Sequence, residues 1–322
     1  MKMLEDLTVK DMNKVNALIL ERIYSNVGMI PDIAQYLMLA GGKKLRPMLT
    51  LATSSMLKYY GNNHILLASA IEFIHMATLL HDDVVDDSQL RRGKVAARLI
   101  WGNQASVLVG DFLLSQAFRM VIETESKKAL ESLSLVACTL AEGELRQLSI
   151  SKNLYITKED YLHVIQSKTA VLFVAALEIA ALIAGAEDSI RCSLKSYGMN
   201  LGIAFQLIDD VLDYRGNVIE MGKNIGDDFR NGKVTLPVIL AFQRGENQEK
   251  DFWISTIGAG QISADNLEKA RILIHDSNAL SDTESLAYYY GQQAKDALQN
   301  LPESIWKKSF MEVVDFCVGR IS

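Results

Sequence analysis

The strongest constraint on this chain is a pattern that it carries twice. Residues from about Ile65 to Asp86 are apolar at helical spacing almost all the way round, broken only by Glu72 and His75 before an acidic end. Residues 193–214 repeat the arrangement. A helix that is apolar on every side belongs in the interior of a bundle. Both helices close in Asp-Asp-x-x-Asp: Leu79-Leu80-His81-Asp82-Asp83-Val84-Val85-Asp86 and Leu207-Ile208-Asp209-Asp210-Val211-Leu212-Asp213. The echo predicts two central helices, antiparallel or side by side, with their acids directed into one cavity.

Helical periodicity also runs through most of the remainder. Val15, Leu18, Ile19 and Ile23 mark an amphipathic first helix. Arg46-Pro47 opens another, with proline tolerated at the first helical position. The stretches 104–123, 129–149 and 158–185 are similar, and Asp160, Asp188 and Asp265 fall where acids favour helix starts. Alternating β-type runs are scarce, and only 4 prolines interrupt 322 residues. The expectation is an all-α fold of roughly a dozen helices, with the more polar stretch from about 247 onward outside. No Pro/Gly/Ser-rich linker divides the chain, so residues 1–322 are expected to form a single domain.

Composition narrows the function. The net charge is −6 and no basic block appears, which argues against a nucleic-acid partner. Cys138, Cys192 and Cys317 are scattered and form no CxxC, the pattern of a reduced, cytoplasmic chain without structural zinc. The N-terminal residues turn acidic at Glu5-Asp6, without a signal-peptide stretch. No uncharged apolar run approaches the ~18 residues of a membrane span, so no transmembrane segment is expected.

The acids carry the chemistry. Asp82 and Asp86 are four residues apart and share a helix face. Two like charges there are unfavourable, an apolar surround makes them more so, and a helix C-terminus is the wrong end for anions. These penalties call for a cation, and hard oxygen donors suit Mg²⁺, which shares its shell with waters and phosphates. One such motif alone also fits a solvated helix end; two, each after a buried helix, weigh against that. The alternating loop of an EF-hand is absent. Basic residues flank the first motif: Gly41-Gly42-Lys43-Lys44-Leu45-Arg46-Pro47 before it and Asp87-Ser88-Gln89-Leu90-Arg91-Arg92-Gly93 after it. Guanidinium groups bind phosphate oxygens in pairs, and the glycines let backbone approach an anion. Each basic pair alone also fits a solvated surface. With the acids they describe a site for both metal-chelated and free diphosphate. Lys168-Thr169 breaks a helical run, Lys223 lies in Gly222-Lys223-Asn224-Ile225-Gly226-Asp227-Asp228, and Lys233 follows in a polar loop. Gln206 is one turn before Asp209, on its face. His75 lies on the face leading to the first motif, where a satisfied core histidine is the alternative.

In set and order these elements resemble the trans-polyprenyl diphosphate synthases, class I isoprenoid chain-elongating enzymes, along essentially the whole chain. Ile71-Glu72-Phe73-Ile74-His75 and Ser106-Val107-Leu108-Val109-Gly110-Asp111 look most like the bacterial octaprenyl members. The resemblance implies an isoprenoid-synthase-type helical bundle around a deep central cavity, a homodimer, Mg²⁺ as cofactor, and repeated addition of isopentenyl diphosphate to an allylic diphosphate such as farnesyl diphosphate. By position it assigns Lys43, Arg46, His75 and Arg92 to isopentenyl diphosphate. Arg91, Lys168, Thr169, Gln206, Lys223 and Lys233 fall to the allylic diphosphate. Asp82, Asp86 and Asp209 would hold Mg²⁺, with Asp83, Asp210 and Asp213 in or beside its shell. Lys44 departs from the arginine common in the family. Ala77 and Thr78, one turn and more before Asp82, are small and would let the product grow toward a floor of Phe118, Val121 and Ile122. That predicts a long product, of eight isoprene units, with a geranylgeranyl, heptaprenyl or solanesyl product as the alternatives, and the resemblance implies its use in a quinone side chain. A terpene cyclase or head-to-head condensing enzyme is the enzymatic alternative, and a non-catalytic partner subunit the other.

Overall fold

The computed structural model describes residues 1–215 and 226–321. In chain order the helices are α1 (Lys2–Arg22), α2 (Met29–Leu39), α3 (Leu45–Met56), α4 (Asn63–Val85), α5 (Ala97–Trp101), α6 (Asn103–Glu123), α7 (Lys127–Ile150), α8 (Lys158–Ile165), α9 (Val171–Ile183) and α10 (Asp188–Arg215). After them come α11 (Asp227–Arg230), α12 (Leu236–Arg244), α13 (Asn247–Trp253), α14 (Ala264–Asp276), α15 (Ala279–Ala297) and α16 (Ile305–Val318). The all-α expectation is met, and α4 and α10 run where the sequence places the two acidic helices.

Contacts divide the chain into two compact units. The first comprises Met1–Ala137, Leu172–Gly198 and Ala297–Val313. Its centre is α4, which packs chiefly on α6 and α3. Leu67, Ala70, Ile71, Phe73, Ile74 and Leu80 are fully or almost fully buried, as are Leu113, Ala117 and Met120 of α6. The second unit comprises Cys138–Val171, Met199–Asp296 and Val314–Ser322. Its core joins Tyr161 and Ile165 of α8 to Ile203, Leu207 and Ile208 of α10 and to Phe229, Ile239 and Trp253. The start of α8 is fixed by a capping box, in which Asp160 N–H donates to Thr157 Oγ1 and Thr157 N–H to Asp160 Oδ2. Asp160 thus serves the helix start that the sequence assigns to it.

Three features differ from expectation. Residues 158–185 do not form one regular helix: a single π-helical turn, Gln166–Ala170, separates α8 from α9. Leu90–Arg91 and Lys94–Val95 form a small antiparallel hairpin, with Arg91 opposite Lys94, too short to show alternation. And three helical stretches, Asn63–Val85, Asn103–Glu123 and Lys158–Ile183, are long and apolar enough to cross a membrane by length and composition alone. Their scattered charges keep them from standing out as uncharged runs. In the first and third, 67% and 72% of the apolar window is buried inside the protein, against 39% in the second.

Within the first unit, α10 meets α9 closely at Gly198. A Cβ there would lie 3.0 Å from both Cα and N of Val174 and 2.8 Å from Leu177 Cδ1. Alanine gains about 1 kcal/mol of helix propensity over glycine, but helix backbone cannot swing aside, and overpacking costs about 1–3 kcal/mol. Gly198→Ala is therefore expected to lower stability by roughly 1 kcal/mol in urea unfolding; an unchanged or raised midpoint would contradict this packing.

Candidate active site

The last turn of α4 is the first acidic motif. Asp86 closes the helix, its N–H donating to Asp82 O at 2.8 Å. Successive helical residues point about 100° apart, so Asp83 turns into the interior while Asp82 and Asp86 remain half-buried. Asp83 is 1% exposed, and its Oδ1 accepts two bonds from Arg91, from Nε at 2.8 Å and Nη2 at 2.5 Å. Burial raises the Asp83 pKa, and the adjacent Arg91 opposes the rise without cancelling it. The sequence assigns Asp83 to the metal shell and Arg91 to the allylic diphosphate; the structure pairs them with each other. The chain after the motif is held by Arg98, whose Nε donates to Ser88 O at 2.7 Å and whose guanidinium bonds Asp87 O. Nothing in the sequence singles out Arg98. His81 rests on α6, with Nε2 3.2 Å from Val107 O, in room left by Gly110, where a Cβ would lie 2.6 Å from the ring's Cδ2.

The flanking cations of the first unit converge. Arg92 and Gly93 form the hairpin turn with φ of 52° and 75°, both positive as a type I′ turn requires. The Arg92 guanidinium occupies the space of a missing side chain: a Cβ on Gly42, itself at φ 130°, would lie 2.7 Å from Arg92 Cζ and 2.8 Å from Nη2. Gly42 thus admits a guanidinium, where the sequence suggests backbone approach to an anion. Arg46 stacks on Phe173, its Cζ 4.3 Å from the ring centre. Buried Glu72 faces Lys44, Arg46 and Arg92; burial raises its pKa and those cations oppose the rise. Burial holds the His75 pKa well below its usual value, reinforced by Arg46, Arg92 and Arg91, so its imidazole is neutral at neutral pH. The sequence's only hint of Glu72 is a lone carboxylate in an apolar helix. Lys44 donates to Asn16 Oδ1 at 2.6 Å, a single-point contact for which lysine suffices, and Lys43 is exposed.

The second motif, at the end of α10, is compensated residue by residue within the second unit. Asp209 is half-buried and paired with Arg320 at 2.7 Å. Arg320 also lies over the Phe205 ring, 5.2 Å from its centre, and no sequence motif marks it. Asp210 is 2% exposed. Its Oδ2 accepts from the Tyr161 hydroxyl at 2.5 Å and its Oδ1 from Gln206 Nε2 at 2.8 Å. Burial, then the nearby Asp228, push its pKa up to about 8. Gln206, which the sequence places on the face of Asp209, is bonded to Asp210, and its Oε1 accepts from Thr169 Oγ1 at 2.8 Å. Buried Asp213 accepts the backbone N–H groups of Asp227 and Asp228 at 3.2 and 3.1 Å, capping α11. Lys168, on the π-helical turn, is ion-paired with Glu144 at 2.7 Å. Gly143 of α7 makes room for that turn: a Cβ would come within 2.8 Å of Ser167 Cβ and 3.1 Å of Lys168 N. Lys233 is half-buried, its N–H donating to Asp228 O at 2.9 Å, and Lys223 lies outside the described residues.

Of the residues expected to set product length, Ala77 and Val121 are buried and Phe118 is half-buried. Thr78 is half-buried, its hydroxyl donating to His75 O at 2.8 Å. Ile122 is 59% exposed, because it points about 100° from Val121.

Among the described residues, no three of His, Cys, Asp and Glu gather closely enough to hold a metal by themselves. Mg²⁺ needs less, binding through one or two carboxylates and completing its shell with phosphate oxygens and water. Asp82 and Asp86, a turn apart with only hard oxygen donors, fit that demand. Asp83 and Asp213 fit it less well: Asp83 is turned into the interior with Oδ1 held by Arg91, and both oxygens of Asp213 accept from backbone amides.

A predominantly helical chain with two acidic helix ends and converging cations has the features of an isoprenoid synthase. The polyprenyl synthetase family model matches residues 27–274, and the chain belongs to that family. It is 41% identical to octaprenyl diphosphate synthase of Escherichia coli (strain K12) over 317 residues, 98% of each chain. The crystal structure of a polyprenyl synthase from Caulobacter crescentus CB15, complexed with calcium and isoprenyl diphosphate, matches with a TM-score of 0.97 and 48% identity, covering 100% of this chain and 98% of that one. A decaprenyl diphosphate synthase from Rhodobacter capsulatus matches at 0.94 and 43%, covering 99% and 98%. The chain is thus a prenyltransferase of the long-chain trans-polyprenyl diphosphate synthase type, with the isoprenoid synthase fold.

The state of His75 has a measurable consequence. Its folded pKa lies below the unfolded value of 6.5, so unfolding takes up a proton, and the resulting stability is lost as pH falls through and below 6.5. His75→Gln removes this uptake. Between about pH 7.5 and about pH 5.5, the melting temperature of the variant is expected to fall less than that of the wild type; equal falls would contradict a neutral His75.

Proposed function

We propose that the chain condenses isopentenyl diphosphate, head to tail (1'-4) and repeatedly, onto an allylic diphosphate, with farnesyl diphosphate as primer and octaprenyl diphosphate as product, for a quinone side chain. The observation that carries this reading is the cluster of Arg46, Arg92 and neutral His75 around buried Glu72, next along the fold from the first acidic motif. Such a cluster suits a diphosphate held by protein cations. A cyclase has no need of it beside a metal-chelating motif. A non-catalytic partner subunit is disfavoured because both acidic motifs and the cations are intact.

In this reading Asp82, Asp86 and Asp209 hold Mg²⁺ on the allylic diphosphate, while Arg91, Lys168, Thr169, Gln206, Lys223 and Lys233 serve the same group. Lys43, Arg46, His75 and Arg92 take isopentenyl diphosphate. Mg²⁺ held there would supply neutralisation of the charge that grows on the departing diphosphate. Lys168 and the arginines add fixed positive charge there. The allylic carbon–oxygen bond breaks, the double bond of isopentenyl diphosphate attacks the cation, and a proton leaves to the released diphosphate. The apolar surface of α4 keeps water from the cation. His75, being neutral, orients a phosphate by hydrogen bonding and adds no charge.

Buried, small Ala77 supports a long product, since a bulky residue a turn before the acids would block growth. A homodimer is supported by α6, an apolar helix that leaves Leu108 67% and Ile122 59% exposed. Scattered Cys138 and Cys192, both exposed, and Cys317, buried, agree with a cytoplasmic setting. Residues 1–322 are best read as one synthase domain, because the family match runs through segments of both units, which interleave in sequence.

Incubation of the purified chain with Mg²⁺, farnesyl diphosphate and isopentenyl diphosphate, followed by mass analysis of the extracted lipid, is expected to give the eight-isoprene product. No elongation with intact substrates would overturn the reading. Ala77→Phe is expected to shorten the product by at least one isoprene unit, and unchanged length would show that the growing chain runs elsewhere.

A further inference from the structure

We infer that Tyr161 is a positioning residue for the condensation: through Asp210 it fixes the amide of Gln206 and hence the direction of the Thr169 hydroxyl. The inference rests on the proposed placement of Thr169 and Gln206 at the allylic substrate.

Three hydrogen bonds form one line. Tyr161 gives its proton to Asp210 Oδ2 at 2.5 Å, Gln206 Nε2 donates to Asp210 Oδ1 at 2.8 Å, and Thr169 Oγ1 donates to Gln206 Oε1 at 2.8 Å. An amide has one donor end and one acceptor end. A carboxylate that receives the Gln206 NH₂ therefore turns the Gln206 oxygen toward Thr169, and the Thr169 proton toward Gln206. The hydroxyl is left presenting its oxygen lone pairs to anything else that approaches. Tyr161 anchors the far end of this line. It is buried, it follows directly on the Thr157–Asp160 capping box that sets the start of α8, and its ring is part of the core of the second unit. The backbone under Thr169 is set separately, by the π-helical turn Gln166–Ala170 resting on Gly143. Backbone and hydroxyl direction thus have different supports, and removing one phenol oxygen should disturb only the second. The Tyr161 hydroxyl is directed at Asp210, so any effect on turnover passes through it.

With Thr169 placed at the allylic substrate, the direction of its hydroxyl acts on the rate more than on ground-state binding. Tyr161→Phe is expected to lower kcat about tenfold and to leave KM for farnesyl diphosphate and isopentenyl diphosphate within about twofold of wild type. Introduced into a Thr169→Val chain, the same change is expected to alter kcat less than about twofold, since no hydroxyl remains to be directed. A full-rate Tyr161→Phe, or an equal loss in both backgrounds, would overturn the inference while leaving the site reading intact. If Thr169→Val alone keeps wild-type kcat and KM, the placement of Thr169 at the substrate fails, and the inference with it. Should Tyr161→Phe not fold, Asp210→Asn is the second probe. It keeps the shape but has one accepting oxygen where Asp210 has two, so it cannot accept from both Tyr161 and Gln206. A kcat loss with unchanged KM supports the inference and an unchanged kcat overturns it.

Discussion

Carboxylates at the ends of apolar helices are expensive to bury, and the local structure around both motifs follows from how that charge is answered. A buried, ionised carboxylate without partners would give up its charge by a shift in pKa. At Asp210 burial and the nearby Asp228 push the pKa up to about 8 even against two hydrogen-bond donors. The chain responds with a different partner at nearly every acid: Arg91 at Asp83, Arg320 at Asp209, Tyr161 and Gln206 at Asp210, and two backbone amides of α11 at Asp213. Asp213 is buried at the end of the second motif, and in each motif the second aspartate is turned into the core. The helical rotation of about 100° per residue makes that unavoidable. Asp82, Asp86 and Asp209 stay half-buried, where an added cation can still reach them.

The same constraint appears with opposite sign on the cationic side. Arg46 and Arg92 are drawn into a partly buried region, and Glu72 is the buried carboxylate among them. Arg92 reaches its place only because Gly42 lacks a side chain and because a type I′ turn turns it there. His75, surrounded by burial and guanidinium groups, stays neutral. Burial lowers the His75 pKa first and the three guanidinium groups add to it; in the proposed reading their field, little weakened by solvent, is what an incoming diphosphate meets.

What the sequence made legible were features repeated at short range. The runs behind α4, α6 and α10 carry a 3.6-residue period over several turns, and the acidic and basic motifs are contiguous. What it hid were pairings set by distance in the fold. Glu144 meets Lys168 and Arg320 meets Asp209 across long sequence separations, with no local pattern to announce either. Arg98 looks like any surface arginine until its bonds to Asp87 and Ser88 are seen. The hairpin at Leu90–Val95 and the short helices α5, α11 and α13 are too brief for a period to register. Gly42 and Gly143 are visible as glycines, but only the fold shows which guanidinium or which turn each one admits.

The division of labour among the aspartates is the centre of this account. It is tested most directly by titrating Mg²⁺ with an unreactive thio-analogue of farnesyl diphosphate into single Asp→Asn variants, with unfolding measured in parallel. Asp82→Asn, Asp86→Asn and Asp209→Asn are expected to weaken Mg²⁺-dependent binding by about tenfold or more, about 1.4 kcal/mol, and Asp209→Asn to weaken its ion pair with Arg320 as well. Asp83→Asn is expected to lower stability while keeping most of the binding, since its carboxylate serves Arg91. A variant at Asp83 that unfolds like the wild type but loses Mg²⁺-dependent binding as fully as Asp82→Asn would contradict the account.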